Sequence, residues 1–235
     1  MGRNGNICQH CLKRRKADIT GNKKMKTFDK KEKKAKKKTN PKKPEKKTSA
    51  EEALESLQAV PEQRSIMLVG EIDEEKSADL ISALLVLSQQ IPAGKDKADD
   101  IKIYVSTYGG SADEMFSIYD VMNYCKQFCD IETIGLGKVM SAGTLILASG
   151  TKGKRKLGSH CRVMIHSVNG GTIGELHNLE NEMQQMKGLQ DNYIQCLSSE
   201  TEMTKRQIQS LINRKVNVYL SATEAIEKGL ADEVL

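Results

Sequence analysis

From Arg64 to Leu235, short apolar runs alternate with segments whose apolar residues recur at helical spacing, and no proline follows Pro92. That alternation is the strongest constraint on the fold. A strand, a covering helix and a further strand bring the two strands in parallel, with the helix packed across the sheet. The expected fold class is therefore α/β: repeated β-α units, with a mainly parallel sheet covered by helices. Ser65–Gly70, Ile101–Ser106, Ile131–Val139 and Arg162–His166 are short, mostly apolar runs and read as strands. Lys76–Gln90 reads as a helix that stops before Pro92. Ala112–Phe128 reads as a helix capped by Ser111, and Ser141–Ser149 as a buried helix. Leu176, Leu179, Met183, Met186, Gln190, Tyr193 and Leu197 recur in steps of three and four, a heptad-like stripe on the longest helical segment. Thr204 opens a helix over Lys205–Arg214, Val216–Leu220 is extended, and Ser221 caps a helix over Ala222–Lys228 that ends at Gly229.

Charge divides the chain into unlike pieces. Residues 1–50 hold 19 Lys and Arg against 4 Asp and Glu, whereas the other 185 residues hold 18 against 27. Lys30–Lys47 has almost nothing to bury, so burial cannot offset its ordering entropy, and 1–50 is expected to be a disordered Lys-rich tail. Glu51–Val60 reads as one short helix ended by Pro61, which makes 51–61 a helical linker and 62–235 a single folded domain. The tail reads either as an electrostatic contact for an acidic partner, nucleic acid or protein, or as a solubilising extension. Its one aromatic residue is Phe28, so stacking on bases is not supported. Cys8-Gln9-His10-Cys11 supplies at most three donors where zinc takes four, and no metal site or cofactor is expected.

Several classes fall away. No apolar run reaches the roughly 20 residues that cross a bilayer, and no apolar h-region follows the basic N-terminus. Neither a membrane protein nor a secretory signal is expected. Cys8, Cys11, Cys125, Cys129, Cys161 and Cys196 lack disulfide-framework spacing and read as reduced thiols of a cytoplasmic protein.

In an α/β sheet, ligands bind where strands end and loops meet helix N-termini. Three such places carry chemical side chains or close-approach backbone. Gly109-Gly110 is either a plain strand-to-helix turn or a backbone that approaches a ligand closely. Ser141, between a strand and an apolar helix, is either a helix cap or a nucleophile beside unpaired N–H groups. Gly-Lys-Val-Met-Ser-Ala-Gly at 137–143 is not the Gly-x-Ser-x-Gly elbow of the α/β-hydrolases. His166 ends a strand and is either a structural group or a base for Ser141. Nothing local in the sequence says that the two meet.

Taken together, the segments resemble the proteolytic subunit of the Clp protease, a serine peptidase family, over Arg64–Leu235. Tyr104–Ser111 resembles the family's strand and Ser-Pro-Gly-Gly turn, and Ile118–Met122 its next helix. Gly137–Gly150 resembles the nucleophile segment, Ser159–His166 the segment ending in the catalytic His, and Leu220–Val234 the C-terminal helix. The resemblance implies a Clp/crotonase-like fold with a protruding handle helix. It implies Ser141 as nucleophile, His166 as base, and an oxyanion hole of Gly109, Gly110 and Ala142. The third catalytic position falls on Asn217, where the family has Asp. Asn can accept from the imidazole but carries no charge to stabilise imidazolium. Tyr108 stands where the family has the turn proline.

The resemblance further implies stacked heptameric rings docked through the handle, with active sites in a chamber. Unfolded polypeptide is the implied substrate and an AAA+ unfoldase the implied partner, since the chain has no Gly-x-x-x-x-Gly-Lys-[Ser/Thr] loop. Asn217 leaves a catalytically silent ring subunit as the alternative. A crotonase-like acyl-CoA enzyme shares the fold, but the Ser141/His166 pairing disfavours it.

Overall fold

The structure, a computed structural model, describes residues 63–235. The expected tail, the helical linker and the Cys8/Cys11 pair lie outside the described residues. Seven strands and six helices follow one another as β1 (Ser65–Ile72), α1 (Glu74–Ser88), β2 (Ile101–Gly110), α2 (Ala112–Cys125), β3 (Ile131–Met140), α3 (Ala142–Ala148), β4 (Arg155–Leu157), β5 (Arg162–Ile165), α4 (Leu176–Glu200), α5 (Lys205–Ile212), β6 (Val218–Leu220), α6 (Ala222–Glu227) and β7 (Glu233–Val234). The sheet runs β1-β2-β3-β4-β7 with every pair parallel. The fold is the expected α/β arrangement.

Local chemistry sets the element ends. Asp73 caps α1 by accepting from the Lys76 N–H at 2.9 Å, and Glu74 and Glu75 favour the positive end of that helix. Ser111 caps α2, as its position predicts. Thr204 and Ser221 each head a capping box, with Gln207 and Glu224 reaching back to the cap N–H. The core lies between the sheet and its helices: Leu84, Ile101, Ile103, Val105, Ile118, Met122, Ile131 and Leu145–Leu147 are fully buried. Burying such side chains is the main driving term for folding.

Strand β3 organises the site. Its first half, Thr133–Gly135, pairs with β4, and its last part, Lys138–Met140, pairs with β5. Between them its register against β2 shifts, from Val105↔Gly135 to Thr107↔Val139. Such a bulge bends a strand and re-aims its end. β5 then turns into an antiparallel pair with β6, so Val163 faces Leu220.

Two strands escape the sequence reading. β4 and β7 have three and two residues, too few for any period to show. Arg155 on β4 is 3% exposed. It bonds Asp232 Oδ1 at 2.6 Å and the carbonyls of Ala148 and Glu200 at 3.2 and 2.6 Å. One buried guanidinium thereby ties the end of α3, the end of α4 and the C-terminal strand together. Burial pushes the Asp232 carboxyl up, but Arg155 and the Arg155 and Gly153 amides outweigh it and hold it below the usual carboxylate range.

The stripe on α4 has two fates. Tyr193 and Leu197 are buried, whereas Leu176 and Met183 are 66% and 58% exposed. The helix leaves the core at its N-terminal half, which is the handle-like feature expected.

Candidate active site

Ser141 and His166 meet. Both lie one residue beyond neighbouring parallel strands, at the carboxyl ends where such sheets place ligands. The Met140↔Met164 register and the Ser141 N–H bond to Met164 O at 2.9 Å carry Ser141 alongside the end of β5. Ser141 Oγ and His166 Nε2 stand 2.7 Å apart. The hydroxyl donates to Nε2 when the neutral ring carries its proton on Nδ1.

The cap alternative for Ser141 fails on geometry. Its side chain caps no N–H of α3, although it occupies the cap position. Its backbone sits at φ 55 and ψ −122, a left-handed, strained conformation for a residue with a Cβ. The surrounding strands hold it there and aim the hydroxyl at the imidazole.

The glycine turn belongs to the same place. A Cβ on Gly109, whose φ is +105, would stand 2.6 Å from Ser141 Cβ, and one on Gly110 would strike the Ile72 carbonyl oxygen at 2.1 Å. Neither position has room for a side chain. The two differ in one respect. The Gly109 N–H donates to Thr107 Oγ1 at 2.9 Å, and Thr107 Oγ1 in turn donates to Gly70 O. That amide is engaged within the protein. Gly110 and Ala142 line the cleft beside Ser141. The Ala142 N–H opens α3 and has no partner four residues back, as in any first helical turn.

His166 is half-buried. Burial pushes its pKa below the ordinary histidine value, while the Asn169 side chain and the Ser167 backbone pull weakly the other way. The ring is therefore held neutral near pH 7, the form that can take a proton. Asn217 lines the same cleft but does not reach the imidazole. It is exposed, and its Nδ2 instead makes a long contact to Tyr219 Oη at 3.5 Å. Asn169, three residues beyond His166, is the polar side chain facing the ring. The sequence reading missed it, because an Asn in a Gly-rich loop carries no signal of its partner.

The cleft encloses about 440 Å³. Besides Ser141 and His166 its walls include Tyr108, Met115, Met164, Val168 and Tyr193. Tyr108 is 69% exposed, and Lys138 Nζ sits 4.7 Å over its ring. Among the described residues the cysteines make no rival nucleophile: burial raises the Cys125, Cys129 and Cys196 thiols and pushes Cys161 up to about 11. Among the described residues, no group of three His, Cys, Asp or Glu side chains is placed to hold a metal ion. Nor is any described helix long and apolar enough to cross a membrane.

A mainly parallel α/β sheet carrying a hydroxyl and an imidazole in contact at adjacent strand ends is an arrangement that can perform acyl-group chemistry. Comparison with known proteins narrows this. Residues 48–235 match the family model for Clp protease. The chain is 32% identical over 181 residues to the ATP-dependent Clp protease proteolytic subunit 2 of Thermobifida fusca, covering 77% of this chain and 85% of that protein. It is 35% identical over 176 residues to the ATP-dependent Clp protease proteolytic subunit 1 of Bifidobacterium longum, covering 74% and 71%. The chain belongs to the Clp protease family and is by that membership a Clp-type peptidase.

Proposed function

We propose that the protein is a serine endopeptidase that cuts unfolded polypeptide, with Ser141 as nucleophile and His166 as general base and acid. The 2.7 Å approach of Ser141 Oγ to His166 Nε2 carries this reading. Ser141 Oγ attacks the peptide carbonyl carbon as Nε2 takes the hydroxyl proton. The carbonyl oxygen becomes an oxyanion beside the Ala142 N–H and the Gly110 backbone. The C–N bond then breaks, the imidazolium gives its proton to the leaving amine, and Ser141 holds the acyl group. Water, deprotonated by the same ring, hydrolyses the ester and restores both side chains.

The exposed Leu176 and Met183 on the N-terminal half of α4 support assembly into stacked heptameric rings that enclose the sites in a chamber, with 62–235 as the assembling domain. Both named relatives are ATP-dependent by name, which supports an AAA+ unfoldase as the partner that delivers folded substrates. Free Cys125, Cys129, Cys161 and Cys196 fit a reducing, cytoplasmic setting.

Reaction with a fluorophosphonate tests the chemistry directly. The reading requires a covalent adduct on Ser141 that the Ser141→Ala variant lacks, and hydrolysis of short peptides by the pure protein. One observation favours a second reading, a silent ring subunit beside an active paralogue: among the described residues no carboxylate bonds His166, and Asn217 contacts Tyr219. An assembled protein that neither labels nor cleaves, but gains turnover as Asn217→Asp, would establish that reading.

A further inference from the structure

Tyr193 lines the cleft that holds Ser141 and His166, yet its hydroxyl oxygen has no hydrogen-bond partner. The residue is only 5% exposed, and burial raises its pKa, so the group is a neutral O–H. An unpaired buried hydroxyl is a standing cost to a folded protein. Ser77 Oγ is the other such oxygen among the described residues, but it sits on α1 and lines no cleft described above. At Tyr193 the orphan belongs to a residue that lines the cleft where the peptidase reading places the substrate.

We propose that Tyr193 determines substrate choice: the cleft takes, at the residue whose carbonyl Ser141 attacks, an extended side chain tipped by a neutral hydrogen-bond acceptor, glutamine above all. The inference rests on the peptidase reading for the orientation of the substrate. The stem of such a side chain packs on Met115, Met164 and Val168. Its amide oxygen accepts the Tyr193 proton, so binding supplies the bond that the empty protein lacks. The two methionines are unbranched and adaptable, and repack to let the tip reach an oxygen now sealed from water. A carboxylate or ammonium tip is disfavoured, because no Lys, Arg, Asp or Glu among the described residues lines the cleft to neutralise it. A methionine side chain of the same length fills the space but leaves the hydroxyl unpaired, which is the kind of difference that sites discriminate well.

The test uses the full-length assembled protein as Ser141→Ala, titrated calorimetrically with two peptides that differ only in a C-terminal Gln or Met. The Gln peptide is expected to bind about tenfold more tightly. Adding Tyr193→Phe should erase that difference. It should leave the ring assembly intact and the melting temperature equal or higher, since an unpaired hydroxyl has been removed. Equal affinities, a Met preference, no binding of either peptide, or a Gln preference that survives Tyr193→Phe would each overturn the proposal. So would disassembly or a lowered melting temperature in Tyr193→Phe, which would mark the hydroxyl as structural. Peptide turnover by the unsubstituted protein is read separately. Gln-selective binding without turnover removes the peptidase reading and leaves this inference standing. Turnover without selectivity does the reverse.

Discussion

Ser141 and His166 sit at the ends of paired parallel strands, whereas Asn217 sits on an exposed segment that precedes the antiparallel strand β6. The first two are placed by backbone hydrogen bonds that a side-chain substitution does not break. Asn217 is placed by its own loop, two residues after Lys215 with its left-handed φ of 57. The contrast separates what the sheet guarantees from what a loop leaves adjustable. A hydroxyl–imidazole pair is built into the architecture, and the group that would orient the imidazole from behind is not.

The largest effect tests the sheet-borne pair. Ser141→Ala should cut peptide hydrolysis by about 10⁶-fold while leaving the fold and assembly unchanged. Residual turnover within tenfold of the parent would put the nucleophile elsewhere. Next comes the close approach that confines the pair. Gly109→Ala places a methyl group 2.6 Å from Ser141 Cβ in a backbone conformation alanine resists. An activity loss of about 10²-fold is expected, since displacing a reacting group by an ångström has that scale. Unchanged kcat/KM would show that the glycine turn yields freely.

The loop-borne side should respond far less. Asn217→Ala is expected to lower kcat/KM by less than about tenfold, because no bond to the imidazole is lost. A loss approaching the 10⁴-fold cost of disabling the Asp in a serine-protease triad would mean that Asn217 swings onto His166 in the working assembly. The smallest effect is a shift along the pH axis. Burial holds the neutral form of His166, so the acid limb of kcat/KM should fall below the ordinary histidine value of 6.5. The sign for stability agrees. The unfolded ring binds a proton at higher pH than the folded one, so this group lowers stability as pH falls below 6.5. That contribution stops growing once pH is below the folded value. A limb above 6.5 would place a negative charge near the ring that the described residues do not supply.

Arg155 and the α4 stripe show where sequence reasoning loses its grip. The run Lys152–Lys156 is mostly charged, yet its arginine is buried against Asp232, which is 77 positions further on. A pairing that distant leaves no local trace. On α4, Leu176 and Leu197 belong to one periodic stripe, but only Leu197 finds a core to pack against. Periodicity reports a face and is silent on what covers it.

From composition, period and motif alone followed the β-α alternation, the caps at Ser111, Thr204 and Ser221, the glycine turn, and the two side chains with suitable chemistry. These are short-range matters, decided by hydrogen bonds and packing within a few residues. Tertiary structure decided which of them touch. The bulge in β3 and its partnership with β5 bring Ser141 to His166, Thr107 occupies the Gly109 amide, Asn169 faces the ring that Asn217 does not reach, and the Tyr193 hydroxyl is left unpaired in the cleft. Contacts between remote segments depend on strand register and on which polar groups find partners, and both are properties of the closed chain.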